Sequence, residues 1–149
     1  MKVLILHLSD MHVKDRKSID SFRIKKIADA VVSAGSFDRA ILVISGDIAY
    51  GGTTDQYKHA WELVGNIITE IKNRNHYKKH IEVICVPGNH DLNHFGAPRS
   101  SEMLQTIRKN NQYDSSLKDE FKKQSAFFEY ANRNECFIMR DAYDRKLLH

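Results

Sequence analysis

Asp10-x-His12, Gly46-Asp47 and Gly88-Asn89-His90-Asp91 are the places where side chains able to do chemistry gather in this chain. Carboxylates, imidazoles and carboxamides are donors that hold divalent cations. Asp10 and His12 stand two apart, a spacing at which an extended backbone turns both side chains the same way, so both can grip one ion. Asp47 follows a glycine that permits close backbone approach, and its two oxygens can bridge two ions. In the third group Gly88 makes a turn and the Asn89 side-chain oxygen offers a neutral ligand. His90 is then a candidate acid, with Asp91 placed to orient it. A cation held in this way points to hydrolysis.

Each group lies just past an apolar run: Val3–Leu8, residues 40–44 and Ile81–Val86. These runs read as buried strands, and in open α/β sheets the carboxyl ends of the strands form the binding crevice. Residues far apart in sequence are thereby brought to one edge. Between the first two runs, Phe22, Ile24, Ile27, Ala28, Val31 and Val32 repeat at helical spacing, with Ser18 as cap and Gly35 as stop. Between the second and third, Thr53 and Gln56 form a capping box ahead of a stripe of Trp61, Val64, Ile67, Ile68 and Ile71. The rhythm predicts βαβαβ, an α/β fold with a parallel sheet.

The chain changes character after Gly96 and Pro98, beyond which it has neither glycine nor proline. Ser100 or Ser101 is a helix start, Ser116 with Asp119 another, and Phe121, Phe127 and Phe128 read as the core of a C-terminal helix, or as an interface. Residues 136–139 form a candidate short strand. The expected organisation is one domain over 1–149, with a motif-bearing α/β core at 1–96 and a mainly helical extension at 97–149.

Composition is that of a soluble globular domain, 42% hydrophobic and 28% charged. No apolar run approaches the ~20 residues that span a bilayer, and the start does not resemble a signal peptide. Cys85 lies in an apolar run and Cys136 is unrelated to it by metal-type spacing, which favours a buried thiol over a disulfide and a reducing cytoplasm. The net charge of +4 is spread over helix faces rather than clustered, which argues against a nucleic-acid surface.

Asp-x-His, Gly-Asp and Gly-Asn-His-Asp, in this order and at these intervals, resemble the calcineurin-like metallophosphoesterases from Val3 to about Leu92. The resemblance implies a β-sandwich of two mixed sheets flanked by helices around a dinuclear centre, here with a βαβαβ core. It implies that Asp10 and His12 hold a first metal, Asp47 bridges, and Asn89 holds a second. His90, with Asp91, would be catalytic, protonating the leaving alkoxide or stabilising developing charge on a phosphate-ester substrate. The ions would be two of Mn, Fe, Zn, Ni or Co.

The family completes its site with a later lone histidine and a Gly-His-x-His segment. This chain has only His94 and His149 beyond His90. The expectation is therefore a truncated domain lacking its C-terminal half, with one, a partial or no ion bound, weak or absent activity, and self-association through the face of the missing half. The alternatives are a non-catalytic partner-binding module with a partial metal site, and a nuclease subunit acting on DNA.

The remaining candidates have blander readings. His7 reads as a core histidine, and His59, His76 and His80 as surface residues. His94 suits a substrate contact and an exposed loop equally, Tyr50 suits packing and pocket lining equally, and Arg99 reads as an exposed cation.

Overall fold

The computed structural model describes residues 1–93 and 123–134. Three parallel strands, β1 (Val3–Leu8), β2 (Arg39–Ser45) and β3 (Ile81–Val86), lie in the order β1-β2-β3. They are joined through α1 (Ser21–Ser33) and α2 (Thr54–Asn75), and a further helix, α3 (Ser125–Arg133), packs on α2. The register aligns Leu6 with Leu42 and Leu42 with Val83, so one face of the sheet is continuous from strand to strand. This is the predicted βαβαβ parallel core.

That face is the core. Ala40, Leu42, Ile44, Ile81 and Cys85 are buried beneath α1 and α2, with Leu4, Leu6, Leu8 and Val83 at its margin. Helix α1 contributes Ile24, Ala28 and Val31, spaced four and three apart on one stripe. Helix α2 contributes a broader stripe, including Trp61, Val64, Ile67 and Ile71, because α1 and α3 also pack against it. Its start follows the sequence reading: Thr53 and Gln56 cap each other across the first turn at 3.4 Å in both directions. In α3, Phe127 is fully buried and meets Tyr57 of α2 at 6.0 Å between ring centroids.

Three expectations are corrected. Helix α1 is capped by Asp20, whose carboxylate accepts from Phe22 N–H at 2.9 Å, and not by Ser18. Arg16–Ser18 instead forms a 3₁₀ turn, and the Ser18 hydroxyl accepts from Lys14 N–H at 3.1 Å. Strand β1 is not buried on both sides: Val3 is 40% and Ile5 65% exposed. The sheet face bearing Val3, Ile5, Ile41, Val43, Ile84 and Val86 has no covering element among the described residues. His7 points out on that face and bonds the Ser45 hydroxyl at 2.6 Å, so it is no core histidine. The expected helix from Ser100 or Ser101, the start of the one from Ser116 and the strand at 136–139 lie outside the described residues, while Phe127, Phe128 and Tyr130 of the second helix fall in α3. No described helix is long and apolar enough to cross a membrane.

Tyr57 ties α2 to the strand-end loops, its hydroxyl donating to Asp91 Oδ1 at 2.8 Å in a fully buried setting. Burial first, and the adjacent Asp91 charge second, hold the phenol far above its ordinary value of 10.0. The folded chain thus keeps a proton that the unfolded chain releases above pH ~10, so folding stability falls as pH rises through that region. Tyr57→Phe is expected to cost about 1.5–3 kcal/mol at neutral pH, the worth of a hydrogen bond to a charged acceptor. In denaturant titrations between pH 7 and 11 it should lose stability less steeply than the wild type above pH 10. Parallel alkaline slopes would rule the linkage out.

Candidate metal centre

The loops leaving the three strands are sewn together edge to edge. Asp10 N–H donates to the Gly46 carbonyl at 3.3 Å, His12 N–H to that of Asp47 at 2.9 Å, and Val13 N–H to that of Ile48 at 3.0 Å. Tyr50 N–H returns to the Val13 carbonyl at 3.1 Å. The third loop joins through His90 N–H, which donates to Asp47 Oδ1 at 2.9 Å. Gly46 and Gly88 face each other: a Cβ on Gly46 would lie 2.9 Å from Gly88 Cα, and one on Gly88 would strike the Asp47 carboxylate and backbone. The two glycines before the chemical residues are there for close approach.

Asp10, His12 and Asp47 all have left-handed backbones, at φ 52°, 46° and 52°. This corrects the extended-backbone argument for Asp10 and His12. Their side chains do approach, with His12 Nε2 3.9 Å from Asp10 Oδ1, but two left-handed residues produce that approach while Met11 between them is buried. Each such residue costs of order 1–3 kcal/mol, a strain typical of functional sites. Asp and His are among the residues that tolerate it best.

The result is a convergence of donors. Ligand atoms of His12, Asp47 and His90, one from each loop, lie within 4.8 Å of one another, and all three residues are half-buried. His12 Nδ1 is buried with no hydrogen-bond partner among the described residues, an orphaned lone pair or N–H that a cation-bound arrangement would relieve. The His90 ring stands 4.5 Å from that of His12, edge to face. Its Nδ1 lies 3.0 Å from the Tyr50 carbonyl, which only accepts, so Nδ1 donates there and Nε2 is the ring nitrogen left for the site. Asp10 stands at the exposed rim beside His12, and Asn89 is exposed in the turn next to His90. Two imidazoles and a carboxylate fit a borderline divalent ion with coordination positions left open.

Asp91 is elsewhere. It was expected to orient His90, but its carboxylate points into the core and is wholly buried. It accepts from Gly88 N–H at 2.8 Å, Ala49 N–H at 2.9 Å, Ile48 N–H at 3.2 Å and the Tyr57 hydroxyl. In this turn the His90 side chain joins the donor cluster while that of Asp91 enters the core. The orienting partner of His90 is the carbonyl of Tyr50, which the sequence reading missed because a main-chain acceptor carries no residue signature. The Tyr50 ring does line the site, 5.6 Å from the His90 ring and 6.2 Å from that of His12. Lys14, not singled out by its motif, lies over that ring at 3.9 Å. His94 and Arg99 lie outside the described residues.

Gly88→Ala is expected to cost about 1–3 kcal/mol by overpacking and to abolish divalent-ion uptake. Gly65→Ala, in open space within α2, should be neutral or stabilising by up to ~1 kcal/mol. Thermal unfolding with metal analysis checks both, and a Gly88→Ala protein that loads metal normally would contradict the close-approach argument. A family model described as calcineurin-like phosphoesterase matches residues 3–141. No curated protein and no solved structure gives a significant match. Three donor-bearing loops at the ends of a parallel sheet and a match along most of the chain agree: the chain belongs to the calcineurin-like phosphoesterase family.

Proposed function

We propose that this chain is a metal-dependent phosphoesterase acting at the junction of its three strand-end loops. The meeting of His12, Asp47 and His90 donor atoms within 4.8 Å carries the reading. Asp10, His12, Asp47 and Asn89 would be the ligand set for up to two divalent ions. When bound, such ions supply Lewis-acid stabilisation of phosphoryl oxygens and lower the pKa of water for attack on phosphorus.

The chain's own groups have separate tasks. Asp47 Oδ1 is tied to His90 N–H, which holds the two motif loops at a set distance and leaves Oδ2 for a ligand role. His90, with Nδ1 committed to the Tyr50 carbonyl, presents Nε2 as the atom that gives or takes a proton at the leaving oxygen. The left-handed backbones of Asp10, His12 and Asp47 fix these side chains before substrate arrives, so less reorganisation is left for the reaction.

With Mn²⁺ and an aryl phosphate ester, turnover is expected that chelator abolishes and Mn²⁺ restores. His90→Gln should lower kcat by about 10²–10⁴-fold, the range for a lost general acid, with metal uptake within a few-fold of wild type. Asp47→Ala should lose turnover and metal together. Metal uptake without turnover by the wild type would defeat the hydrolase reading and leave a metal-binding module. Loss of metal by His90→Gln would move His90 from the acid role to the ligand set.

A further inference from the structure

Lys26 rests on the Phe22 ring at 5.3 Å, but the ring beneath Lys14 is that of Tyr50, which lines the donor cluster. Arg39, Arg74 and Arg133 each meet a carboxylate, while Lys2 and Lys79 donate to main-chain carbonyls at 2.9 and 2.8 Å. The Lys14 ammonium instead rests on the face of Tyr50, 3.9 Å from the ring centroid, and among the described residues no ion pair engages it. A ring face attracts an ammonium by about 0.5–1 kcal/mol at an exposed site but brings no neutralising charge. Its three donors are therefore positioned and still available.

The placement is built from both sides. Lys14 follows His12 by two residues, and its N–H donates to the Ser18 hydroxyl at 3.1 Å, which closes the 3₁₀ turn beneath it. Val13, fully buried, bridges to Ala49, and its carbonyl receives Tyr50 N–H, so the segments bearing Lys14 and Tyr50 are one ladder. The Tyr50 ring in turn lies edgewise to that of His12 at 6.2 Å and tilted against that of His90 at 5.6 Å. The ring on which the Lys14 ammonium rests thus borders the place where an anion among His12, Asp47 and His90 would sit, and the four-carbon side chain is flexible.

We propose that Lys14, steered by the face of Tyr50, is a substrate-binding residue that takes the extra negative charge of a phosphomonoester and selects monoesters over diesters. The inference rests on the phosphoesterase reading above. A monoester above its second pKa of ~6 carries nearly two charges, against one for a diester. Cations bound by the ligand set would compensate the charge common to both. The oxygen that is esterified in a diester and ionised in a monoester is the one an ammonium at the rim distinguishes.

Two measurements test it on the full chain. With Mn²⁺ bound, Lys14→Met is expected to raise KM for p-nitrophenyl phosphate about tenfold with kcat changed less than about threefold. The kcat/KM for bis(p-nitrophenyl) phosphate should stay within about twofold, and Lys14→Arg should recover most of the monoester KM. Separately, the metal-free chain titrated with inorganic phosphate should show saturating NMR shifts at the Lys14 and Tyr50 amides, absent in Lys14→Met and present in Lys14→Arg. An unchanged monoester KM in Lys14→Met, equal losses for both esters, or phosphate shifts that survive Lys14→Met would overturn the proposal. A wild type that binds phosphate through Lys14 yet hydrolyses neither ester would overturn the hydrolase reading and leave the phosphate contact standing.

Discussion

The carboxylate of Asp91 accepts hydrogen bonds from three separate stretches of chain: the loop after β2, its own turn, and the middle of the sequence through Tyr57 on α2. A buried charge is tolerable only when its lone pairs are occupied, and here both oxygens are used twice. Because the donors belong to the loops that carry Asp47 and His90, the same set of bonds that satisfies the charge also holds the site. The dependence extends outward. Phe127 and Tyr130 of α3 pack against the Tyr57 ring, whose hydroxyl reaches Asp91, and the residue before Asp91 presents its imidazole to the donor cluster. Core packing and site geometry are one connected structure.

Much of this was legible in the residues. The apolar runs became strands within a residue at either end, the Thr53–Gln56 pair became a working cap, and three donor-bearing segments met as the topology of a parallel sheet requires. What was not legible has physical causes. Residue type cannot announce a left-handed backbone at Asp10, His12 and Asp47, since tertiary hydrogen bonds impose it. Nor can it announce that Asp91 turns inward, because an aspartate beside a histidine reads equally well as its orienting partner. Strand β1 misled for a third reason: a run of apolar residues states that a surface is sticky, not that something covers it.

The site shows where local preference gives way. Elsewhere the described chain follows ordinary rules, with side-chain caps on α1 and α2, a parallel ladder in regular register and an apolar stripe on each of those helices. At the three loops it departs from them, through strained dihedrals and a glycine pair pressed backbone to backbone. Such departures persist only when surrounding bonds over-determine them, and the Asp91 and main-chain ladders supply that excess.

The distance in sequence between the donors carries a consequence for how the fold is held. His12, Asp47 and His90 come together only when β1, β2 and β3 have all docked, so the unfolded chain contains no equivalent of their cluster. A cation held across these loops would act as a reversible cross-link, favouring the native state by mass action. Such an ion would be a clasp on the ends of the three strands. In a chain whose second sheet face lacks a described cover, that clasp would bind the end of β1, open on one side, to the strands beside it.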